Sequence, residues 1–433
     1  MRVGRAFLQT FTVQVVQSAA SVATGVLIAR GLGPAEQGRY ALFSAAVALG
    51  AVLVALGQFQ GNVLSTTEQP GSGRILLLRS ILHCLAVLAV LTILHGVGLT
   101  IPGLSHLGDL TYAFIAVLFV EALAQMVRGI NLGQHDVTSF NLGTFSQRAI
   151  YLGLVVLLRQ TSALALMPIA IAWFGAALLS LLLISFLVWK RSPSGHVSWL
   201  ALRAGWGTGA LRGLRALITV MLSLFLVRCD IYMLGPMLGM AAVGQVSVAT
   251  GLAEWLWYVP SILSNLLFAA SAADARTRRI DVIARATRSL VLFLVPACVV
   301  LMCIGKWLVH LLYGPAYLQA GTVFLLLLPG VTALALHLVV DSYFAGSGFP
   351  AITIWAPALA LGVKVALNLA LVPRWGILGA AWATSLVYIG LFAIKAVALS
   401  REVSIPLSAL LRPTWKDTVA NIGSARAWVL RRA

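Results

Sequence analysis

Several charged side chains fall inside long apolar stretches of the sequence, where they could bind an oppositely charged group. Lys364 lies about thirteen residues into the stretch 351–372, and Arg148 about six residues into 142–159. Placing Lys or Arg at the centre of a membrane-spanning helix costs about 2.5–3.5 kcal/mol, so a cation at this depth is a functional candidate. We take Lys364 and Arg148 as candidate anion-binding residues, with Arg128 as a third.

Each of these cations also has a structural explanation. Lys364 could pair with a nearby acid such as Asp341. Arg148 could extend its long side chain back to the membrane interface. Arg128 lies closer to the end of its apolar stretch and could serve only as a cytoplasmic anchor.

Acidic residues at similar depth could exchange a proton or bind a cation. Glu121 and Glu254 lie in the middle or second half of their apolar stretches, and Asp341 lies near the end of another. A carboxylate in lipid-like surroundings must be paired, protonated or hydrated. These three residues are candidates for ion coupling, and the alternative is a neutral acid or an internal ion pair.

Amide side chains form a further polar set within the apolar stretches. They could hydrogen-bond sugar hydroxyls, or they could bridge helices, where such bonds contribute about 0.6 kcal/mol. This set comprises Gln14, Gln17, Gln125, Asn131, Asn141, Gln147 and Asn368.

The elements that must position these residues are membrane-spanning helices. The 433 residues are 60% hydrophobic and only 10% charged, and the mean hydropathy is +0.97, which leaves too little polar surface to cover a water-soluble globule. Continuously apolar runs of about 20 residues match the length of a helix that crosses the bilayer. They lack the alternating pattern of a transmembrane β-barrel.

We predict an all-α polytopic protein with about twelve spans. The first span is longer than an ordinary signal-peptide core and carries three glutamines, so we expect it to be retained. The predicted spans are 8–29, 40–61, 75–97, 108–128, 142–159, 163–189, 207–228, 240–266, 287–312, 319–344, 351–372 and 377–399.

The distribution of basic residues predicts the orientation. With the N-terminus in the cytoplasm, most of the 30 Lys and Arg residues fall on the cytoplasmic side, as the positive-inside rule requires. Both termini are then cytoplasmic. The net charge of +18 is explained by loops that face anionic lipid, so we expect no nucleic-acid partner. The basic tail 401–433 has the spacing of an interfacial amphipathic helix.

A few arginines lie on the non-cytoplasmic side, where the positive-inside rule disfavours them. Arg30 and Arg39 flank the short loop after the first span, and Arg228 ends the seventh. We take all three as candidates for holding phosphate at the mouth of a cleft. The alternatives are simple pairs, of Arg39 or Arg30 with Glu36 and of Arg228 with Asp230.

Motifs for catalysis, metal binding and cofactor binding are not found in the sequence. The four cysteines lack zinc-site spacing, and no nucleophile elbow or phosphate-binding glycine loop appears. We therefore predict no catalytic residues, no metal and no cofactor. The outward loops are short and poor in acids, which favours transport over membrane-embedded catalysis.

An internal repeat supports transport. Leu32-Gly33 is followed after four residues by Gly38, and Leu238-Gly239 is followed after four residues by Gly244. Two sets of six spans with matching first loops are typical of a two-lobed transporter. We predict an N-terminal lobe at 1–200 and a C-terminal lobe at 201–400.

A loop and four later segments, in order, give a specific resemblance. The loop is LIARGLGPAEQGRYAL from Leu27. The later segments are RCDIYMLGPMLGMAAVGQVSVATGLAEWLWYVP from Arg228, YGPAYLQAGTVFLLLLPG from Tyr313, YFAGSGFP from Tyr343 and LNLALVPRWGILGAAWATSLVY from Leu367. Together they resemble the polysaccharide and O-antigen flippases of the multidrug/oligosaccharidyl-lipid/polysaccharide exporter superfamily. The resemblance covers nearly the whole chain.

The resemblance implies a bundle of two six-helix lobes in the bacterial cytoplasmic (inner) membrane. Such proteins move a polyprenyl-diphosphate-linked oligosaccharide from the inner to the outer leaflet by alternating access. The implied partners are this lipid-linked substrate, membrane lipids, and a polysaccharide polymerase with chain-length proteins. Two other functions stay open: a cation-coupled small-molecule exporter and a membrane subunit of a polysaccharide polymerase.

Overall fold

A computed structural model describes residues 2–69, 71–96, 110–134, 136–192, 206–258, 260–261, 276–346, 350–403 and 406–412. Throughout these ranges the regular secondary structure is helical. The α-helices are α1 Arg2–Ala55, α2 Gln58–Glu68, α3 Gly73–Gly96, α4 Thr111–Gly133, α5 Val137–Gln160, α6 Leu166–Arg191, α7 Trp206–Leu238, α8 Met240–Ala253, α9 Arg276–Tyr313, α10 Leu318–Gly346, α11 Ile352–Val403 and α12 Leu407–Leu411. Two short 3₁₀ helices cover Glu254–Trp257 and Pro315–Tyr317.

Eight helices of the described residues are long and apolar enough to cross a membrane. Among these, α1 has 54 residues and α11 has 52, which is about twice the length that one crossing needs. The protein is therefore a multi-pass, all-α membrane protein, and the fold class predicted from the sequence is confirmed.

The two longest helices each contain a sharp kink at a glycine. Gly33 in α1 has φ 74° and ψ 172°, and Gly376 in α11 has φ 58° and ψ −139°. Each helix thereby covers two predicted spans, 8–29 with 40–61 and 351–372 with 377–399. In place of each predicted loop, the structure has one non-helical residue within a continuous helix. That residue is glycine in both helices, and glycine adopts a positive φ without strain.

The glycines of the sequence repeat have matching backbone conformations. Gly239, which separates α7 from α8, has φ 83° and ψ 170°, close to the φ 74° and ψ 172° of Gly33. Both positions leave open space where a Cβ atom would lie, so the need for glycine comes from the backbone conformation. The repeated Leu-Gly motif thus marks the same turn twice.

The predicted second and eighth spans are interrupted. Within 40–61, α1 ends at Ala55, the left-handed residues Leu56 and Gly57 follow, and α2 begins at Gln58. Within 240–266, α8 gives way to the 3₁₀ helix at Glu254, and residues 262–266 lie outside the described part. Continuous hydrophobicity predicts a span but does not reveal a change of helix type inside it.

The chain divides into two compact units, with the boundary inside α7. In the unit Gln9–Leu224, α4 packs against α2, α3, α5 and α6. Its core includes Phe43, Val117, Ile130 and Ile184. Trp173 joins this core, with its ring centroid 5.9 Å from that of Phe43.

The second unit comprises Met1–Leu8 and Phe225–Ala433 and is organised around α10. The apolar window of Pro315–Phe344 is 78% buried, whereas that of Ile283–Tyr313 in α9 is 22% buried. Helix α10 is therefore the central helix, packed against α8, α9 and α11, and α9 exposes most of its surface. Of the predicted amphipathic tail 401–433, residues 413–433 lie outside the described residues.

Candidate functional site

A glutamate and an arginine face each other inside the Gln9–Leu224 unit. Glu121 Oε2 lies 3.6 Å from Arg128 Nη2, and both side chains are largely buried. Gln147 of α5 bridges the pair: its Nε2 donates to Glu121, and its Oε1 accepts from Arg128 Nη2 at 3.0 Å. Trp173 Nε1 of α6 also donates to Glu121, at 2.7 Å. The carboxylate is thus held by three helices.

Helical spacing explains how α4 presents these groups. Glu121, Gln125 and Arg128 are separated by four and then three residues, which places them on one face of an α-helix. The adjoining face of α4 packs closely on α2, where a Cβ atom at Gly129 would lie 2.5 Å from the Phe59 carbonyl oxygen. This close packing fixes the rotation of α4 about its axis and therefore the direction in which Glu121, Gln125 and Arg128 face.

Arg148 has no carboxylate partner among the described residues. Its side chain is exposed on α5, one residue after Gln147, and it lies within electrostatic range of Arg128. It is also within range of the hydroxyl groups of Tyr40 and Tyr151, which lie 3.1 Å apart. The group Glu121, Arg128 and Arg148 therefore carries one more positive than negative charge.

A cavity of about 370 Å³ opens beside this group, and all of its lining residues belong to the Gln9–Leu224 unit. Arg128 and Gln125 line it from α4. The remaining lining residues are Val52, Ala55, Gly57, Phe59, Gln60, Phe140, Thr144, Leu217 and Val220.

The wall of the cavity includes the break between α1 and α2. Leu56 there has φ 44°, in the left-handed region, where a residue with a Cβ atom is strained by about 1–2 kcal/mol. Ala55 and Gly57 on either side of it line the cavity. Strained backbone of this kind concentrates at functional sites in proteins.

Lys364 lies in the other unit and is completely buried. Its Nζ is 2.8 Å from Asp230 Oδ2, donates to the Leu226 carbonyl oxygen at 2.8 Å, and lies 5.1 Å from the centroid of the Tyr388 ring. The ammonium is thus enclosed by protein. The suggested partner Asp341 is wrong, because Asp341 pairs with Lys395.

Asp230 is the centre of this second cluster. Besides Lys364, it accepts hydrogen bonds from Asn368 Nδ2 at 2.7 Å and from Thr384 Oγ1 at 2.8 Å. The carboxylate therefore connects α7 with both halves of α11. Cargo contact by Lys364 stays a prediction, while this geometry gives it a structural role.

Arg228 and Arg39 also form ion pairs. Arg228 donates to Glu254 from Nη1 at 2.8 Å and from Nη2 at 3.3 Å, so its suggested pairing with Asp230 is wrong. Arg39 pairs with Glu36 at 3.0 Å, as the structural alternative predicted. Arg30, which precedes Glu36 and Arg39 in the sequence, is exposed.

Six carboxylates among the described residues each have a Lys or Arg partner within 4 Å. They are Glu36, Glu121, Asp136, Asp230, Glu254 and Asp341. Within the described part, no cluster of three His, Cys, Asp or Glu residues could hold a metal ion.

Sequence reasoning missed Asp230, Lys395 and Trp173 as parts of these clusters. Asp230 was considered only as a possible partner of Arg228, and Lys395 was counted only among the basic residues of the cytoplasmic side. Asn368 was singled out only as one polar residue among several, although it lies one helical turn after Lys364. That spacing is the signal that could have pointed to a shared acidic partner.

Comparison with protein-family models and with curated proteins gives no match to this sequence. Comparison with solved structures does. The lipid II flippase MurJ, in an inward closed conformation, superimposes with a TM-score of 0.74 at 13% sequence identity, over 98% of this chain and 93% of MurJ. An inward-facing multidrug resistance MATE family transporter of the MOP superfamily gives a TM-score of 0.68 at 14% identity, over 93% and 98% of the two chains.

The chain has the fold of MOP-superfamily transporters. A third example is a MOP superfamily transporter from Pyrococcus furiosus with a binding pocket of reverse polarity. It gives a TM-score of 0.67 at 13% identity, over 94% of this chain and 95% of that one. At these identities the likeness establishes the fold, and the cargo must be argued from the side chains.

Proposed function

We propose that this protein is a flippase for a polyprenyl-diphosphate-linked oligosaccharide. It carries this cargo from the inner to the outer leaflet of the bacterial cytoplasmic membrane, where surface polysaccharide is assembled. The observation that carries the proposal is the charge balance of the described residues. Each of the six paired carboxylates has a basic partner, and Arg148, near Arg128, is left as an additional positive charge.

An anionic cargo fits this balance. A sugar diphosphate cannot cross hydrocarbon unaided, because burying its charges without partners is prohibitive. A site that exposes a guanidinium can replace the lost water, since arginine presents several donors to phosphate oxygens. The lipid tail of such a cargo can stay in the bilayer while the headgroup moves.

The proposal also gives roles to the other arginines and to the buried acids. Arg30 and Arg39 remain proposed contacts for phosphate at the outer mouth, and Arg228 is a proposed contact in the second unit. Glu121, Glu254 and Asp341 remain the proposed coupling groups if transport consumes an ion gradient, because protonating any of them would release its basic partner. A polysaccharide polymerase and chain-length proteins are the proposed partners.

A cation-coupled exporter of small molecules is the second candidate. The fold shared with MATE transporters favours it. Binding a cationic drug would require a carboxylate without a basic partner, and the paired carboxylates do not offer one in this conformation. The charge balance therefore favours the flippase.

The two functions differ in what deletion of the gene does to the cell. We expect deletion to remove surface polysaccharide and to accumulate lipid-linked oligosaccharide that a membrane-impermeant lectin cannot reach from outside. Wild-type protein should restore surface polysaccharide. Unchanged polysaccharide, together with increased sensitivity to cationic compounds, would instead establish the exporter.

A further inference from the structure

The cavity beside Arg128 is mainly apolar but contains a small set of free polar groups. Its apolar side chains are Val52, Ala55, Phe59, Phe140, Leu217 and Val220. Val220 is 37% exposed and Leu217 is partly exposed, so this wall is open to a ligand. An apolar cavity with one charged group suits a ligand that combines a hydrocarbon part with a single anionic group.

The guanidinium of Arg128 is held from one side and free on the other. Glu121 and Gln147 contact only its Nη2 atom. Its Nε atom is buried and has no hydrogen-bond partner among the described residues. A buried donor without a partner costs about 1–3 kcal/mol, which a phosphate oxygen in the cavity would recover.

Two amides extend this donor set. Gln60 and Gln125 line the cavity, and neither hydrogen-bonds another residue of the described ranges. Thr144 lines it as well, but its hydroxyl already accepts from Gln17 Nε2 at 2.7 Å. Three donors around one phosphate would satisfy its oxygens and leave few groups for the many hydroxyls of a sugar.

The charge around the cavity and the volume of the cavity also favour a small anionic ligand. Glu121 pairs with Arg128 in the cavity wall, and Arg148, which is not a lining residue, lies within electrostatic range of Arg128, so the surroundings of the cavity carry one net positive charge. A volume of about 370 Å³ lies near the lower end of the range for small-molecule sites, roughly 300–1,000 Å³. It suits one phosphate group with a few isoprene carbons and is too small to enclose a whole oligosaccharide.

We propose that this cavity binds the isoprenyl phosphate end of the lipid-linked cargo. Arg128, Gln60 and Gln125 contact the phosphate, the apolar walls contact the first isoprene units, and Glu121 and Gln147 are positioning residues for Arg128. This inference rests on the proposed function and adds to it. It assigns recognition to the part that all polyprenyl-linked saccharides share.

The test measures binding of farnesyl monophosphate to the full-length protein in phosphatidylcholine nanodiscs by calorimetry. Farnesol supplies the hydrocarbon without the phosphate, and glucose 1-phosphate supplies a sugar phosphate without the hydrocarbon. We expect farnesyl monophosphate to bind about tenfold or more tightly than either, after subtraction of empty nanodiscs. Equal or tighter binding of glucose 1-phosphate would overturn the proposal.

Variants test the residues. Arg128→Gln with Glu121→Gln removes both charges together, so no carboxylate is left unpaired, and it should weaken farnesyl monophosphate binding about tenfold or more. Val220→Trp keeps every charge and narrows the cavity from its exposed wall, and it should weaken binding similarly. Arg159→Gln changes an exposed arginine on α5 and should leave binding unchanged.

The outcomes separate this inference from the proposed function. If both cavity variants bind farnesyl monophosphate like wild type, the cavity is not the site, even when the cell experiment supports the flippase. If the ligand binds as expected while deletion leaves surface polysaccharide unchanged, the proposed function fails and the isoprenyl phosphate site stands.

Discussion

Charged side chains deep in this protein occur as ion pairs within one unit. The pair of Lys364 with Asp230 joins α11 to α7, and the pair of Arg228 with Glu254 joins α7 to the 3₁₀ helix that follows α8. Arg128 and Glu121 lie on the same helix, α4. Depth in an apolar stretch drew attention to Lys364 and Arg128 but not to the buried Lys395. It could not predict the partner of Lys364, because Asp230 lies far from Lys364 in sequence and the two meet only through helix packing.

Loss of Lys364 should destabilise the protein strongly. Lys364→Met leaves the buried Asp230 carboxylate without its cation, and removing one partner of a buried pair costs about 3–5 kcal/mol. Adding Asp230→Asn should recover part of this loss, because the remaining amide can still hydrogen-bond Asn368 and Thr384. Thermal unfolding of both variants in detergent measures the effect. If Lys364→Met unfolds like wild type, the structural role assigned to Lys364 is wrong.

Loss of Arg148 should reduce activity and leave stability nearly unchanged, unlike loss of Lys364. Arg148 makes no ion pair with a described residue, so Arg148→Gln should change stability by less than about 0.5 kcal/mol. Its activity in restoring surface polysaccharide to the deletion strain should fall about tenfold or more, since a charged contact to phosphate is lost. Arg159→Gln, on the same helix, is the control and should restore polysaccharide fully. A stable Arg148→Gln variant with full activity would contradict the assignment.

At the scale of helices, the turns were easier to predict than the breaks. The Leu-Gly repeat identified Gly33 and Gly239, whose φ and ψ values agree closely. The break at Leu56 and Gly57 has no such signal, because leucine is typical of a continuing helix and a single glycine is tolerated within one. It lies in the wall of the cavity, next to α2, which packs against α4.

Alanine at either repeat glycine should destabilise the protein. Gly33→Ala and Gly239→Ala place a Cβ atom in a conformation that L-residues avoid, at a cost of about 1–3 kcal/mol each. Gly25→Ala is the matched control: Gly25 is in the helical part of α1 with open space around it, so alanine there should be neutral or stabilise by up to about 1 kcal/mol. Thermal unfolding of the three variants checks this, and equal midpoints would show that the turns impose no constraint.

For the whole molecule, hydropathy and charge were sufficient to predict a multi-pass helical membrane protein. The resemblance carried by short motifs correctly pointed to the superfamily fold. The lobes at 1–200 and 201–400 stay a prediction, and so does the cytoplasmic location of both termini. The cargo depends on a few side chains, so fold and topology leave it undetermined.

Transport of an anionic cargo should respond to the membrane potential. Each negative charge moving out of a compartment with a negative interior gains about 2.3 kcal/mol per 100 mV. Proteoliposomes with the cargo in the inner leaflet should therefore export it faster under a potassium diffusion potential that is negative inside. Export that is unchanged by potential and slowed by removing a sodium or proton gradient would instead indicate ion coupling.

The most direct test measures flipping itself. Lipid-linked oligosaccharide extracted from the bacterium that makes this protein is placed in proteoliposomes. The fraction of it that an external lectin can bind is measured over time. We predict that wild-type protein exposes oligosaccharide from the inner leaflet, whereas empty vesicles and the Arg148→Gln protein do so about tenfold more slowly or not at all. Wild-type vesicles that expose it no faster than empty ones would contradict the proposal that this protein is a flippase.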